Sequence, residues 1–214
     1  DTWQEVSDET EAVDQGDLYH IVLARFFKNY LGKNISSVDI GVLEKELQAV
    51  FNSVCEEFLL SGKLKNTDFL DAELQQIWKK LLRVINAEIA YQKDLSTSKR
   101  NLLPAFVEWG FGNASHVFCR EIDGERAYFT GRIDRIDADE ENLFITDYKR
   151  TNGPAKKDFE AGLDLQMPLY VLAAEDFFAN DTRTLLGGGY FSIETAQRKN
   201  GYWRKEAEFL PWLK

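Results

Sequence analysis

Two short apolar runs, each leading into carboxylates, constrain the fold of this chain more than any other feature. The runs span residues 127–136 and 143–148, and both are rich in the β-branched and aromatic residues that favour strands. The acidic segment between them, residues 137–142, is typical of a hairpin turn. The sequence therefore predicts two paired strands, which would bring Asp134 and Asp147 close together.

The second run carries charge where a buried strand should not. A period of two places Leu143, Ile145, Asp147 and Lys149 on one face, so an apolar row continues into an acid and a lysine. Nowhere else in the sequence is an Asp or Glu followed two positions later by Lys. A solvated surface ion pair is the ordinary alternative. The position at the end of an apolar strand favours a functional site instead.

Two carboxylates that converge on a sheet face repel each other and lose hydration, so they stay ionised only beside a cation or strong donors. Mg²⁺ prefers oxygen ligands and is commonly held by one or two carboxylates together with substrate phosphates. Lys149, one pleat from Asp147, would then orient or help to deprotonate a water, or stabilise charge on the phosphate. Asp134, Asp147 and Lys149 thus predict phosphodiester hydrolysis.

Four segments together resemble a known family. They are Gly131-x-x-Asp134-Arg135-x-Asp137, Asp147-Tyr148-Lys149, Leu165-Gln166-x-x-x-Tyr170 and, upstream, Gly16-x-x-x-His20-x-x-Leu23. This ordered set is similar to the RecB-type nucleases of the PD-(D/E)XK superfamily, and among them to the nuclease domain of AddB-type helicase–nuclease subunits. The resemblance spans residues 16 to about 193.

The resemblance implies a metal site and its ligands. His20 and the Tyr148 carbonyl would join Asp134 and Asp147 in holding Mg²⁺ or Mn²⁺. From the sequence alone, His20 fits a surface or capping residue equally well. Imidazole is compatible with Mn²⁺ and, more loosely, with Mg²⁺.

The resemblance also implies a supporting helix face. Gln166 and Tyr170 are four residues apart, hence on one side of a predicted helix over residues 164–178. In the family that side meets the metal site and the DNA backbone, whereas a half-buried Gln and an interface Tyr are the alternative. The sequence also allows two interpretations of Glu108. It is either an acid near the metal or an outward-facing strand residue.

The expected function follows from the same resemblance. The chain would be a metal-dependent deoxyribonuclease acting as an exonuclease on linear ends or single strands, in a helicase–nuclease of DNA repair and recombination. The alternative is an inactive DNA-binding or scaffolding module of a larger complex. AddB-type domains often hold an iron–sulfur cluster through one cysteine upstream of the histidine helix and three near the C-terminus. These cysteines are absent, so no cluster is expected in this chain, which we expect to be excised from a longer protein.

Length and composition fit one domain. With 214 residues, 44% of them hydrophobic, the chain can bury one sizeable core over residues 16–214. Residues 1–15 contain six acids and no base, which predicts a flexible lead-in. The expected fold is an α/β PD-(D/E)XK core, a central mixed β-sheet flanked by helices, with a helical insertion at about residues 37–96. That layer could shape a DNA channel or simply pack.

Charge and cysteine content set further limits. A net charge of −10 argues against a protein that holds nucleic acid by bulk electrostatics, although Lys149, Arg150, Lys156 and Lys157 cluster after the acidic strand. No apolar run is long enough for a membrane span, and the N-terminus lacks signal-peptide character. We therefore expect a cytoplasmic protein without membrane contact. The two cysteines have no metal spacing and are expected to be free thiols.

The remaining elements follow from apolar spacing and turn residues. Helices are predicted over residues 17–31, 38–61 and 68–91, with Ser37 and Thr67 as N-caps of the last two and Gly62 ending the second. Strands are predicted over 104–111, 116–122 and 184–194, and Asn200-Gly201 suggests a hairpin turn. His116 has no partner in the sequence and is expected to be structural.

Overall fold

The structure is a computed structural model that describes residues 8–204 and Leu210 of the chain. In chain order the elements are α1 (Asp8–Lys28), a 3₁₀ turn (Ile35–Ser37), α2 (Ile40–Ser61), α3 (Leu70–Thr97), β1 (Leu103–Phe111), β2 (Cys119–Ile122), β3 (Glu125–Tyr128), β4 (Gly131–Ala138), β5 (Asn142–Lys149), α4 (Lys156–Glu160), α5 (Gln166–Phe177), β6 (Thr184–Ser192) and β7 (Gln197–Trp203). Residues 1–7 of the predicted lead-in lie outside the described residues. Its remainder, from Asp8 on, is the first part of α1 rather than an irregular segment.

The long helices were predicted, but their ends differ. Asp39 caps α2, because its carboxylate accepts from the first free amides, and Gly62 ends it at a φ of 76°. The predicted cap at Ser37 is therefore wrong, as is that at Thr67, since Phe69 precedes α3. Helix α3 also continues to Thr97, six residues beyond the predicted end, because Leu95 extends its buried stripe.

A five-stranded mixed sheet forms the centre, in the order β1-β4-β5-β6-β7. Strands β5 and β6 are parallel, and the other neighbouring pairs are antiparallel. The predicted α/β class, with a mixed sheet flanked by helices, is confirmed.

Two strand predictions need correction. Residues 127–136 are not one strand: β3 pairs with β2 in a separate two-stranded sheet, and the chain enters β4 at Gly131. A Cβ at Gly131 would lie 2.5 Å from the Phe111 ring, so a larger residue at this junction would displace that ring. The last hairpin turns at residues 193–196, while Asn200 and Gly201 lie within β7.

Apolar clusters lie on both faces of the sheet. On one face α1, α2 and α3 pack on Tyr148 and Phe191, and a smaller cluster joins the end of α3 to Phe144. On the opposite face α5 packs on residues that include Ile136 and Ile145. The helical layer inserted before the sheet therefore packs as part of the core. No helix in the described ranges is long and apolar enough to cross a membrane.

Candidate active site

The pairing of β4 with β5 brings the two predicted acids together. Arg135 is opposite Thr146, so the preceding Asp134 and the following Asp147 are neighbours across the strands. Both are buried, with 8% and 2% of their surfaces exposed. Burial and the charge of Asp134 together raise the pKa of Asp147 from 3.8 to about 6, despite the nearby Lys149. Without a cation, the pair is an unfavourable concentration of negative charge.

Asp134 is held from two sides. Its Oδ1 lies 3.1 Å from Nδ1 of His20 on α1, and its Oδ2 accepts from the backbone amide of Tyr148 at 2.7 Å. Burial tends to lower the pKa of His20, but the hydrogen bond to Asp134 and the surrounding carboxylates outweigh it, so the pKa is raised. The structure thus brings His20 to the acids from 114 residues away, which the sequence indicated only through the family resemblance.

Lys149 and Gln166 complete a connected set. The Lys149 ammonium lies 2.9 Å from Asp147 Oδ2 and donates to Gln166 Oε1 at 2.6 Å. The Gln166 amide in turn donates to Asp147 Oδ1 at 3.2 Å and to the Tyr170 hydroxyl at 2.8 Å. Lysine, acid and helix α5 therefore fix one another. The four-residue spacing predicted that Gln166 and Tyr170 share one helix face, and the family resemblance implied that this face meets the acids.

The first turn of α5 has an anchor that the sequence interpretation missed. The Asp164 carboxylate accepts from the backbone amide of Gln166 at 3.0 Å and from the Tyr190 hydroxyl at 2.8 Å. It thereby ties the residue beside the site to β6. An acid two residues before a helix start is a capping signal that could have indicated this role.

Glu108 lies at the edge of the site. The pairings of Val107 and Trp109 with β4 place it beside Asp134, and its carboxylate lies 2.8 Å from Nε of Arg132. Its φ of 52° is rare for a residue with a side chain, and such strain persists where the surroundings impose it. Burial and the charge of Asp134 raise the pKa of Glu108 against the opposing Arg132. Glu108 is thus a neighbour of the acids, not an isolated surface residue.

Two further predictions concerned Asp137 and His116, and they have different outcomes. Asp137, assigned to the hairpin turn from sequence, is a buried strand residue paired with Arg135, and the turn is built by Asp139. His116 contacts the Gly110 carbonyl at 3.2 Å and packs on the rings of Trp109 and Phe177, in line with the structural role expected of it. Both cysteines are free, as predicted.

The donor set fits a hard divalent cation. Asp147 Oδ2 is buried and has no partner with hydrogen-bond geometry, although the Lys149 ammonium is near it. The Tyr148 carbonyl lies on the same strand edge as its amide, which faces Asp134. Within the described ranges no three His, Cys, Asp or Glu side chains form a ready metal cluster. Mg²⁺ is commonly held by one or two carboxylates, and waters and substrate phosphates complete its coordination.

Fold and site together define a nuclease-type core, and sequence comparison agrees. The family model described as "PD-(D/E)XK nuclease superfamily" matches residues 3–210. The chain belongs to this superfamily.

Two curated relatives are each named as one subunit of an ATP-dependent helicase/deoxyribonuclease. That of Acetivibrio thermocellus is 28% identical over 196 residues, covering 85% of this chain and 16% of the relative. That of Exiguobacterium sibiricum is 27% identical over 211 residues, covering 92% of this chain and 18% of the relative. The chain thus spans less than a fifth of the length of either relative. No solved structure matches it significantly.

Proposed function

We propose that this domain is a Mg²⁺- or Mn²⁺-dependent deoxyribonuclease. The observation that carries the proposal is the linked set of Asp134, Asp147, Lys149 and Gln166, in which two buried acids and a lysine converge with donors already fixed. A scaffold would gain nothing from this costly concentration of charge.

The acids, with the Tyr148 carbonyl and His20, are the residues that would hold the cation. When bound, it would polarise the phosphodiester and lower the pKa of a water. Asp134 is oriented for this by the Tyr148 amide and His20. Asp147 is oriented by the Gln166 amide.

Lys149 is the group that we assign to the developing charge. Its side chain is 28% exposed, so a phosphate lying against the two acids can reach the ammonium. Gln166 restricts the lysine to this position, and Tyr170 restricts Gln166. A donor fixed before the reaction costs no reorganisation during it.

We infer the substrate and partner from the names of the relatives. A domain attached to a helicase receives DNA from its neighbour and needs little affinity of its own, which accommodates the net charge of −10. The exposed Arg132 and Lys157, together with Arg150, supply local positive charge around β4 and the segment after β5. We propose that the domain hydrolyses a DNA strand starting from its end, as part of a repair or recombination complex.

A digestion assay tests this proposal. The purified domain is given linear duplex, linear single-stranded and covalently closed circular DNA, each with Mn²⁺, with Mg²⁺ and with EDTA. We expect loss of the linear substrates only, and only with a divalent ion. Cutting of closed circles would replace the exonuclease assignment by an endonuclease. Binding of DNA without cutting under all conditions would favour the scaffolding module.

A further inference from the structure

A buried cluster of charged side chains lies on the sheet face opposite the candidate site. Arg135, Asp137 and Glu88 are 1%, 2% and 0% exposed. Arg135 and Tyr148 alternate along β4 and β5 with the acids of the site, so their side chains point to the other face. Arg135 and Asp137 belong to the motif that carried the family resemblance, yet their side chains point away from Asp134 and Asp147.

The contacts of Arg135 join three elements. It donates to the Tyr148 hydroxyl of β5 at 2.5 Å, to Glu88 of α3 at 2.9 Å and to Asp137 of its own strand at 2.9 Å. Its guanidinium also covers the ring of Phe27 on α1, 4.5 Å from the ring centre.

Arg198 extends the cluster to a further strand. From β7 it donates to the second oxygen of Glu88 at 2.7 Å, and it stacks on the ring of Tyr91. Burial tends to raise the pKa of Glu88, but Arg135 and Arg198 outweigh it, so the pKa is lowered and the carboxylate stays ionised. Two positive and two negative groups are thus closed off from water.

Such a cluster is an expensive way to stabilise a fold. Removing an ion from water is unfavourable, and well-packed apolar residues often replace a buried ion network without loss of stability. What the ions provide that apolar residues lack is direction, because each guanidinium hydrogen bond fixes an angle as well as a distance. The cluster therefore suits a part of the molecule whose geometry must be held closely.

Tyr148 connects the cluster to the site. It lies between Asp147 and Lys149, and its amide holds Asp134. Fixing its hydroxyl to Arg135 restricts the rotation of this segment of β5 about the strand axis. A rotation would move both acids and the lysine together.

We propose that Arg135, with Glu88 behind it, is a positioning residue that acts through Tyr148 to set the spacing of Asp134, Asp147 and Lys149. The metal-binding part of this inference rests on the proposed function. The mechanical part, restraint of the backbone at position 148, does not.

Tyr148→Phe is the sharpest test, because it removes one hydroxyl and keeps the ring and the backbone carbonyl. Changes behind metal ligands typically cost 10–100-fold, so we expect Mn²⁺ affinity measured by calorimetry and kcat each to fall about tenfold. KM for DNA should stay unchanged, since no DNA contact is lost. Tyr30→Phe is the matched control: this buried tyrosine donates to Glu46 at 2.7 Å, away from the sheet, and its loss should affect neither quantity.

Hydrogen exchange supplies a readout that requires no activity. The amide at position 148 should exchange faster in Tyr148→Phe than in the parent, because its acceptor Asp134 is less well aligned. The amide of Thr184, which donates to the Glu141 carbonyl just before the start of β5, should not change. Glu88→Gln should act in the same direction and, as both changes act through Arg135, the double variant should be less than additive. If Tyr148→Phe fails to fold, the single variant Glu88→Gln is used for the same test.

The outcomes separate the two proposals. If the parent binds Mn²⁺ and cuts DNA and Tyr148→Phe does both equally well, the positioning role is overturned. If the parent does neither, the proposed function fails, and the exchange experiment still decides: unchanged protection at position 148 overturns the positioning role as well.

Discussion

The carboxyl group of Asp147 is 2% exposed and lies beside that of Asp134, so its charge is disfavoured until a cation reaches the site. Lys149 offsets only part of this cost, as the pKa of about 6 indicates. At the scale of the residue, the metal-free fold is therefore strained electrostatically where the proposed chemistry needs charge. The two acids and the lysine were identifiable from sequence because they follow one another on neighbouring short strands. The packing around these three residues could not be identified from the sequence.

Asp147→Asn should raise the stability of the metal-free protein above pH 6. The folded state holds a proton on Asp147 that the unfolded chain releases near pH 3.8, so the parent loses stability between about pH 4 and 6 and the variant does not. The advantage is at most about 3 kcal/mol, at about 1.4 kcal/mol per pKa unit. Thermal melts in EDTA from pH 4 to 8 measure it.

Asp181→Asn is the control with the opposite sign. Hydrogen bonds from Arg183 lower the pKa of Asp181 to about 2, so its charge stabilises the fold above pH 4, and that stabilisation disappears as the pH falls toward 2. This variant should melt slightly earlier than the parent at pH 7. An Asp147→Asn protein that also melts earlier than the parent at pH 7 would show that the acids are not in conflict.

His20→Ala should lower activity at low Mg²⁺ and recover at high Mg²⁺, because mass action refills a weakened site. The chain provides a matched control in its second histidine. His116 contacts a carbonyl and aromatic rings on the β1 side of the molecule, so His116→Ala should leave the metal dependence unchanged. Activity titrated against Mg²⁺ distinguishes them, and identical curves for the two variants would remove His20 from the site.

At the scale of the element, local patterns were sufficient where one strand or helix carries its own signal. The alternation along β5 indicated that Asp147 and Lys149 share a face, and the spacing of Gln166 and Tyr170 placed them on one side of α5. That this side meets the acids was implied by the family resemblance. Two errors came from turn residues. Asp123-Gly124 is a two-residue hairpin signal that joins β2 to β3 and was overlooked, so the prediction of one strand over residues 127–136 was wrong. Asn200-Gly201 resembles such a turn, but it lies within β7, where β6 pairs along it.

The buried role of Asp137 has a long-range cause. Its neighbours in sequence are acidic and suggest a turn, but its partner Arg135 is placed by Glu88 of α3, 47 residues from Arg135 in the chain. An acid that alternates with an arginine in an apolar strand is the signal that was available.

Gly188→Ala should misplace α5. An added Cβ would lie 2.4 Å from the Met167 sulfur and 2.8 Å from the Ile145 Cβ, so Met167 in the first turn of α5 must shift away from β6, the strand that carries Gly188. Overpacking of this kind costs about 1–3 kcal/mol. Because Gln166 precedes Met167, turnover should fall more than the remaining folded fraction explains.

Denaturant titration and turnover of the same Gly188→Ala sample measure both effects. Gly16→Ala is the control, since no atom lies within 4 Å of an added Cβ there and alanine favours a helix. A Gly188→Ala protein with lowered stability but full turnover per folded molecule would show that α5 does not position the site.

At the scale of the whole molecule, the helical layer and the sheet form one unit. The apolar cluster beneath α1, α2 and α3 includes Tyr148 of β5, and the cluster beneath α5 includes Ile145 of the same strand. Helices α2 and α3 therefore lie behind the candidate site. Of the two roles considered for this layer, a DNA channel or packing, its buried residues support packing.

Leu81→Ala should accordingly destabilise the entire domain. Leu81 is fully buried in α3, and truncating such a leucine costs about 2–5 kcal/mol. Hydrogen exchange near the denaturation midpoint should rise equally in peptides from α3 and from β1, across the sheet. Leu60→Ala, at a leucine that is 90% exposed, should change neither. Faster exchange confined to the helices would show that the layer unfolds independently.

Lys149→Ala tests the central claim, that this constellation performs metal-dependent hydrolysis. The lysine is not needed to hold the cation, so Mn²⁺ affinity by calorimetry should persist or increase, since a positive neighbour of Asp147 is gone. Removing a donor aimed at developing charge costs about 10²–10³ in rate, so linear DNA should be cut at least about a hundredfold more slowly. Lys45→Ala, an exposed lysine on α2, should match the parent. Equal cutting rates for the parent and Lys149→Ala would contradict the account.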